Sequence, residues 1–324
     1  MREKNKVLPC KIFEYMLECN PVMKKMKRQL KGSFSIVLAT IIWGSTFVAQ
    51  SMGMDHIGPF TFQAVRCFLG GLVLLPIIAI ADIFTYKNDG KTYFSRWRDP
   101  KLWKAALFCG TPLFIAMNLQ QVGMVDTDAG KSAFLTAMYI VFVPVLGIFR
   151  GQKPTKWIPI SVVLGVVGLY CLSCVGVTRI ATGDLLLLGC AVAFAVQILA
   201  VDVFAKQVDC LRLNCISAFL CAALSGTMMA ITETPNMADI WASFGPIAYA
   251  GVLSTGIAYS LQIIGQKDLP AAAASLLMSL ESVFGVLSGW LVLNERLTLF
   301  EGLGCVLVFS AVILSQLPDK KKTA

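Results

Sequence analysis

The sequence is poor in charge and nearly without histidine. Charged residues make up 15% of the 324 positions, well below the roughly one quarter carried by soluble domains, and His56 is the single histidine. A single histidine cannot form a metal site built from several imidazoles, and it leaves at most one candidate for a Ser–His–Asp triad. Most of the eleven cysteines lie inside apolar stretches, and the only CxxC pattern, Cys171 to Cys174, lacks a second pair. We expect neither a metal nor another cofactor.

Long apolar stretches, by contrast, are abundant. Hydrophobic residues make up 56% of the chain and the mean hydropathy is +0.71. Ten stretches have the length of about 20 residues that a helix needs to cross a bilayer. They cover approximately residues 33–52, 60–84, 102–122, 128–149, 157–176, 184–205, 213–232, 240–263, 270–293 and 298–317. Such continuous runs differ from the alternating segments of a membrane barrel and predict an all-α integral membrane protein with ten transmembrane helices.

The distribution of basic residues predicts how these helices are oriented. With both termini inside, 24 of the 28 Lys and Arg fall on the inner side, and Arg179 and Arg296 are alone on the outer side. This bias predicts an N-in, C-in topology in a bacterial-type cytoplasmic membrane. The net charge of +9 then reflects orientation and contact with anionic membrane lipid, so we expect no nucleic-acid partner.

The chain also contains an internal repeat. A shift of 142 residues aligns 118–147 with 260–289 at nine identities in thirty positions, more than a shared apolar composition explains. Each half holds five predicted spans, and an odd number inverts the second half relative to the first. Inverted five-helix repeats are typical of transporters, in which the substrate site lies near the midplane between the halves.

Several motifs resemble those of the EamA family of the drug/metabolite transporter superfamily. They are WGSTFVA (43–49), AVRCFLGGL around Arg66, PVLG (144–147) and SLESVFGVLSGWLVLNERLT (279–298). The resemblance implies a ten-helix, two-repeat secondary transporter, often an exporter of amino acids or related metabolites. On this basis we predict a first repeat at 33–150 with a fifth helix at 151–177 and a second repeat at 183–317. Outside the repeats we predict a cytoplasmic basic leader at 1–32, with an over-long gene start as the alternative, and a basic cytoplasmic tail at 318–324.

Glu281 is the acid that lies deepest within a predicted span. It lies about eleven residues into the ninth span, roughly 16 Å deep at 1.5 Å per residue. A charge there costs on the order of 3 kcal/mol, so the side chain should face the bundle interior or a water-filled cavity. We expect it to bind a substrate ammonium group or to carry a proton. The alternative is a packing role, with hydrogen bonds to Ser or Tyr neighbours.

Two basic residues enter the spans from the outer side, Arg66 in the second and Lys131 in the fourth. Either could hold a substrate carboxylate, arginine through its fork and lysine as a point charge. The alternatives are an ion pair of Arg66 with Asp126 or Asp128, and extension of Lys131 to the lipid headgroups. Uncharged candidates for the cavity lining, which could equally be hydrogen-bond partners between helices, are Trp43, Thr46, Gln50, Asn118, Gln121, Tyr139, Gln197, Tyr259 and Gln262.

Together these features predict a secondary active or facilitative transporter that exports a small metabolite, such as an amino acid, by alternating access. Proton coupling, exchange and facilitated diffusion all remain compatible with the residues, and a passive channel or exchanger is the alternative function. An enzyme is not expected, because no base and nucleophile cluster in the spans. A monomer is favoured over a homodimer. We further predict a helix contact at Gly285 and Gly289, and a turn role for Glu295 and Arg296.

Overall fold

The computed structural model describes residues 21–85, 93–127, 129–173, 181–293 and 298–317, and these residues form a bundle of α-helices. Two short helices, Tyr93–Trp97 and Met237–Ala242, lie in the connections. The long helices are α1 (Pro21–Gly53), α2 (Pro59–Thr85), α3 (Pro100–Gly123), α4 (Ala129–Ala137 and Tyr139–Phe149), α5 (Trp157–Ser173), α6 (Thr182–Phe204), α7 (Cys210–Thr232), α8 (Phe244–Gln266), α9 (Ala271–Met278 and Leu280–Leu293) and α10 (Leu299–Ser315).

Length and composition make this bundle a multi-pass membrane protein. Within the described ranges, eight helices are long and apolar enough to cross a membrane, and Trp157–Leu172 and Leu299–Ser315 are shorter apolar helices. Large apolar side chains such as Phe34, Phe84 and Phe149 are exposed on the outside, as lipid contact requires. The predicted spans coincide with the observed helices to within about four residues, except at the start of α1.

The first helix is longer than its apolar stretch predicts. It begins at Pro21, so its first turns include the basic run that we assigned to a leader ending at residue 32. Proline suits the first helical position, and the lysines that follow have high helix propensity. The remainder of the predicted leader, residues 1–20, lies outside the described residues, as do Glu295, Arg296 and the tail from 318 onward.

Local capping chemistry explains where several helices begin. The carboxylate of Asp99 accepts a hydrogen bond from Lys101 N at the start of α3, and Asp209 accepts one from Arg212 N at the start of α7. Thr298 and Glu301 form a capping box at α10. Glu301 also places an acid in the first turn, where it complements the positive end of the helix dipole.

Three helices depart from regular α geometry, and hydropathy gave no sign of it. Helix α4 is interrupted at Met138 and α9 at Ser279, positions that differ by one residue in the repeat alignment. Helix α8 contains a π-helical segment, Ala250–Ala258. Apolar stretches predict a span but not its internal breaks, because the hydrophobic pattern is the same on either side. π-helical segments often occur at functional sites.

The helices pack in pairs that mirror the repeat. The repeat makes each helix equivalent to the one five places later, with α1 following α10. Each helix contact accordingly has an equivalent: α3–α6 corresponds to α8–α1, α4–α6 to α9–α1, and α2–α8 to α7–α3. The α5–α10 and α2–α7 contacts are exchanged with themselves. Two equivalent groups result, α1/α8/α9 and α3/α4/α6, and each combines helices from both halves of the sequence.

Close glycine contacts recur at repeat-equivalent positions. A Cβ on Gly32 or on Gly265 would lie 2.6 Å from the carbonyl oxygen of the other residue, where α1 crosses α8. Where α3 crosses α6, a Cβ on Gly123 would lie 3.0 Å from the Gly183 oxygen. Since only glycine allows backbones to approach this closely, both groups depend on the same device.

Candidate functional site

A cavity of about 460 Å³ lies between the two helix groups. Helices α1, α8 and α9 form one side, which we call the α1/α8/α9 wall, and α3, α4 and α6 form the other, the α3/α4/α6 wall. Arg66 of α2 completes the lining. The residues around the cavity are Trp43, Thr46, Phe47, Gln50, Arg66, Gln120, Thr136, Tyr139, Phe194, Gln197, Ile198, Ser254, Tyr259, Gln262, Met278 and Glu281.

The cavity brings together nine of the twelve site residues predicted from the sequence. The polar and aromatic members among them are Trp43, Thr46, Gln50, Tyr139, Gln197, Tyr259 and Gln262. Glu281 supplies the acid and Arg66 the base of the described lining. A membrane-embedded acid and base are therefore placed in one small space, which is the arrangement that a zwitterionic ligand requires.

Three predicted residues lie away from this cavity. Lys131 Nζ forms an ion pair with Asp184 Oδ2 at 2.5 Å. The lysine side chain therefore joins α4 to α6 and does not extend to the lipid headgroups. Asn118 donates to Ser225 Oγ at 2.8 Å and so joins α3 to α7. Gln121 is fully buried but is not part of the lining. Its neighbour Gln120, about 100° away around the helix, lines the cavity instead.

Close packing of α9 on α1 positions Glu281 in the cavity. A Cβ at Gly44 would lie 2.6 Å from Gly285 N and 2.7 Å from the Glu281 carbonyl oxygen, so α9 lies directly against α1 at this level. The contact predicted for Gly285 is thereby confirmed. The Tyr139 hydroxyl, from the facing wall, donates to Glu281 Oε1 at 3.0 Å. The carboxylate is buried and has one observed protein partner among the described residues.

Arg66 is held at the edge of the cavity by an amide. Its Nη1 donates to Gln50 Oε1 at 2.7 Å, and its guanidinium carbon lies 5.8 Å from the centre of the Phe62 ring. Asp126, the partner considered from the sequence, is exposed, and Asp128 lies outside the described residues. Among the described residues no carboxylate forms an ion pair with Arg66, so this buried guanidinium keeps its charge available to a ligand.

Several buried polar atoms of the lining have no hydrogen-bond partner in the described protein. Two are donors, Trp43 Nε1 and Arg66 Nε, and one is an acceptor, Gln262 Oε1. The Trp43 ring packs against Tyr259 with centroids 5.0 Å apart, which fixes the indole in place. Because an unpaired buried polar atom costs about 1–3 kcal/mol, a ligand or water that pairs with these atoms is favoured.

Much of the lining consists of repeat-equivalent pairs. The glycine crossings pair Gly32 of α1 with Gly183 of α6, a shift of 151 residues, and this shift pairs Trp43 with Phe194, Thr46 with Gln197 and Phe47 with Ile198 in the lining. The 142-residue shift pairs three more lining positions, namely Gln120 with Gln262, Thr136 with Met278, and Tyr139 with Glu281. Sequence reasoning missed Phe47, Gln120, Thr136, Phe194, Ile198, Ser254 and Met278. Gln120 could have been found, because it is an identity of the repeat with Gln262.

The fold and the cavity are those of a two-repeat membrane transporter. The model of the EamA-like transporter family matches residues 30–174 and 181–317. The chain belongs to this family, and it is accordingly a transporter and not an enzyme. A solved crystal structure shares the fold with a TM-score of 0.72 at 17% identity, covering 88% of this chain and 96% of its own.

Three similar proteins are named as transporters or exporters, and each aligns with this chain over nearly its whole length. An uncharacterized transporter of Archaeoglobus fulgidus is 27% identical, covering 90% of this chain and 87% of that protein. The uncharacterized transporter YoaV of Bacillus subtilis is 24% identical, covering 88% and 97%. The threonine/homoserine exporter RhtA of Escherichia coli K12 is 25% identical, covering 93% and 96%.

Proposed function

We propose that this protein exports a small zwitterionic amino acid across the cytoplasmic membrane by alternating access between its two inverted repeats. The observation that carries the proposal is the joint presence of Glu281 and Arg66 around one buried cavity. The substrate ammonium group binds beside Glu281. The substrate carboxylate binds beside Arg66, whose Nε is a buried donor without a partner among the described residues.

The walls of the cavity support a compact, amphipathic substrate. The rings of Trp43, Tyr139 and Tyr259 provide apolar surface with polar edges. RhtA, named for threonine and homoserine, is similar to this chain over nearly all of both proteins. Small hydroxylated amino acids are therefore the first substrates to test.

The N-in, C-in orientation belongs to the same proposal. The bias of Lys and Arg supports it, and so does the exchange of helix contacts on moving five helices along the chain. Under this orientation α1 ends at the outer side and α6 at the inner side. The basic segment at the start of α1 then faces the anionic inner leaflet.

The test is flux in proteoliposomes containing purified protein and radiolabelled L-threonine or L-homoserine. We expect saturable flux that is accelerated by unlabelled substrate on the opposite side, which a passive channel would not give. Glu281→Gln should lower flux at least 100-fold, whereas Asp126→Asn, the same change at an exposed acid, should leave it within twofold. An imposed proton gradient distinguishes proton-coupled export from exchange.

Two results would contradict the proposal. One is the lack of saturable flux across a panel of amino acids, amines and carboxylates in liposomes that contain folded protein. The other is normal flux by Glu281→Gln, since a carboxylate that binds the substrate ammonium cannot be replaced by an amide at no cost.

A further inference from the structure

The outer surface of the bundle contains an apolar groove that lies over α6. Its floor is the part of α6 from Val196 to Phe204, and its sides are α3 and α4, both of which pack against α6. We call it the α6 groove. The eight steps from Val196 to Phe204 rise about 12 Å, and one leaflet contributes about 15 Å of hydrocarbon to a bilayer. The groove is therefore long enough to cross most of one leaflet.

The walls of the α6 groove are apolar and face the hydrocarbon. Leu107 and Phe108 on α3 and Phe149 on α4 are exposed large side chains of its sides. The Phe108 ring stacks on the Phe204 ring of α6 with centroids 5.8 Å apart. Between these walls Ala200 is the smallest residue of the floor. A hydrocarbon chain can therefore lie along α6 in contact with three helices.

Two cations lie at the end of the groove where α4 and α6 end and α3 begins. Arg150 lines the groove, and its Nη1 donates to the Leu199 carbonyl at 2.9 Å. Lys104 precedes Leu107 and Phe108 by three and four residues, so it shares their helix face one turn nearer this end. Both cations are exposed, and among the described residues neither forms an ion pair. A guanidinium with one N–H bonded to a carbonyl keeps its other donors for phosphate oxygens.

We propose that the α6 groove binds an anionic phospholipid, with one acyl chain along α6 and the phosphate against Arg150 and Lys104. An apolar groove that ends at two cations is complementary to an amphiphile with an apolar tail and a negative head. A zwitterionic lipid offers the same chains, but its headgroup adds a positive charge beside these cations. Under the proposed orientation the site lies in the inner leaflet, where anionic lipid is available.

The α6 groove and the substrate cavity lie on opposite faces of α6. Phe194 and Gln197 line the cavity, whereas Val196, Ala200 and Val203 line the groove. At 100° per residue the two sets point in nearly opposite directions. Lipid binding is therefore independent of which solute the cavity holds, so a failure of amino-acid export and a failure of the lipid site are separate outcomes.

Native mass spectrometry of delipidated protein tests the contribution of charge. Phosphatidylglycerol and phosphatidylcholine with the same acyl chains are titrated, and we expect the first phosphatidylglycerol to bind at least fivefold more tightly. Arg150→Gln/Lys104→Gln should lower the affinity for phosphatidylglycerol at least fivefold and leave that for phosphatidylcholine within twofold. The control Arg98→Gln/Lys156→Gln removes two charges from exposed positions at the same end and should keep the preference. Equal losses in both double variants would overturn the proposal, because the preference would then follow overall charge.

A tryptophan in the floor tests whether an acyl chain occupies the groove. Val196→Trp fills the groove and should weaken binding of both lipids at least fivefold. Val192→Trp is the matched control, because Val192 is one turn away on the same face, is 39% exposed against 43% for Val196, and does not line the groove. Since both positions are exposed, neither change disturbs the core. Wild-type affinity of Val196→Trp for both lipids would overturn the proposal.

The same spectra distinguish a lipid from two other occupants. Glycerol 3-phosphate has the headgroup phosphate without acyl chains, so a 100-fold excess should not displace phosphatidylglycerol. Displacement would place a free anion at Arg150 and contradict the lipid assignment. A dimer of lipid-free wild-type protein that Val196→Trp dissociates would also contradict it, because a second copy of the chain would then cover the groove.

Discussion

The two walls of the cavity share a framework and differ in chemistry. Gln120 and Gln262 are repeat equivalents on the two walls, and both walls depend on a close glycine crossing. Yet the α1/α8/α9 wall has Trp43, Thr46 and Tyr259 where the repeat places Phe194, Gln197 and Met117 on the other wall.

This difference separates what the repeat preserves from what the substrate requires. Glycine crossings serve the packing of both walls, so they occur twice. The acid and the indole occur on one wall, because a single small substrate has one ammonium group to bind. We therefore expect changes at the glycine crossings to affect stability, and changes at Glu281 or Trp43 to affect substrate binding.

The largest effect should come from moving the acid between the walls. Glu281→Tyr should lower the flux of labelled amino acid in proteoliposomes by at least 100-fold, because the substrate ammonium loses its countercharge. The exchange variant Tyr139→Glu/Glu281→Tyr returns one acid and one phenol to the same contact and should recover at least tenfold of that loss. If the exchange variant is no better than Glu281→Tyr, the contact with the rest of the α1/α8/α9 wall is essential to the acid.

A glycine crossing should respond similarly on both walls. Gly265→Ala places a methyl group 2.6 Å from the Gly32 oxygen, and Gly123→Ala places one 3.0 Å from the Gly183 oxygen. We expect each to lower the free energy of unfolding in detergent by about 2 kcal/mol, because the helices must move apart. Gly130→Ala is the control, since a Cβ there would have no neighbour within 4 Å. If Gly265→Ala unfolds with the same free energy as wild type, the close approach of α1 and α8 does not contribute to stability.

A smaller effect is expected from Arg66→Lys, which keeps the positive charge but removes the paired N–H donors of the guanidinium group. The substrate carboxylate then loses one of two hydrogen bonds, so KM should rise about tenfold while kcat changes little, a loss of about 1.4 kcal/mol in binding. Arg98→Lys, at an exposed position, is the matched control in the same flux measurement. An unchanged KM would remove Arg66 from the substrate site.

The smallest effect on transport should come from the ion pair of Lys131 with Asp184. Both side chains are partly buried and 2.5 Å apart, and Thr127 Oγ1 also donates to Asp184. Lys131→Met should cost about 1–2 kcal/mol of stability, because it leaves a carboxylate without its partner. Flux per folded molecule should stay within twofold of wild type. A rise in KM would return Lys131 to the substrate site, where the sequence placed it.

The fold could be predicted from the sequence because its determinants are local. Apolar runs define the spans, and the 142-residue repeat pairs them, so the ten helices follow without coordinates. Polar and ionisable residues within those spans then gave nine of the sixteen residues of the lining. Helix rotation does not follow, as Gln120 and Gln121 illustrate. These adjacent glutamines are chemically identical, and only the packing of α3 on its neighbours decides which of them faces the cavity.

The sequence also could not predict side-chain partners that lie far apart along the chain. Asp184 lies 53 residues from Lys131, and no spacing rule connects them, so Lys131 was interpreted either as a ligand for substrate or as a side chain extending to the lipid headgroups. The partner of Glu281, by contrast, could be expected, since a tyrosine was among the alternatives. The breaks in α4, α8 and α9 also lay beyond the sequence, because they depend on how neighbouring helices meet.

The contact between Tyr139 and Glu281 has a consequence for the history of the chain. Residues that are equivalent in a repeat and also touch each other must lie where the two copies meet. In an assembly of two identical halves, any acid at this position would face a second acid about 3 Å away, and like charges so close cannot both ionise. Because the two halves of this chain differ in sequence here, the meeting point holds a single carboxylate opposite a phenol.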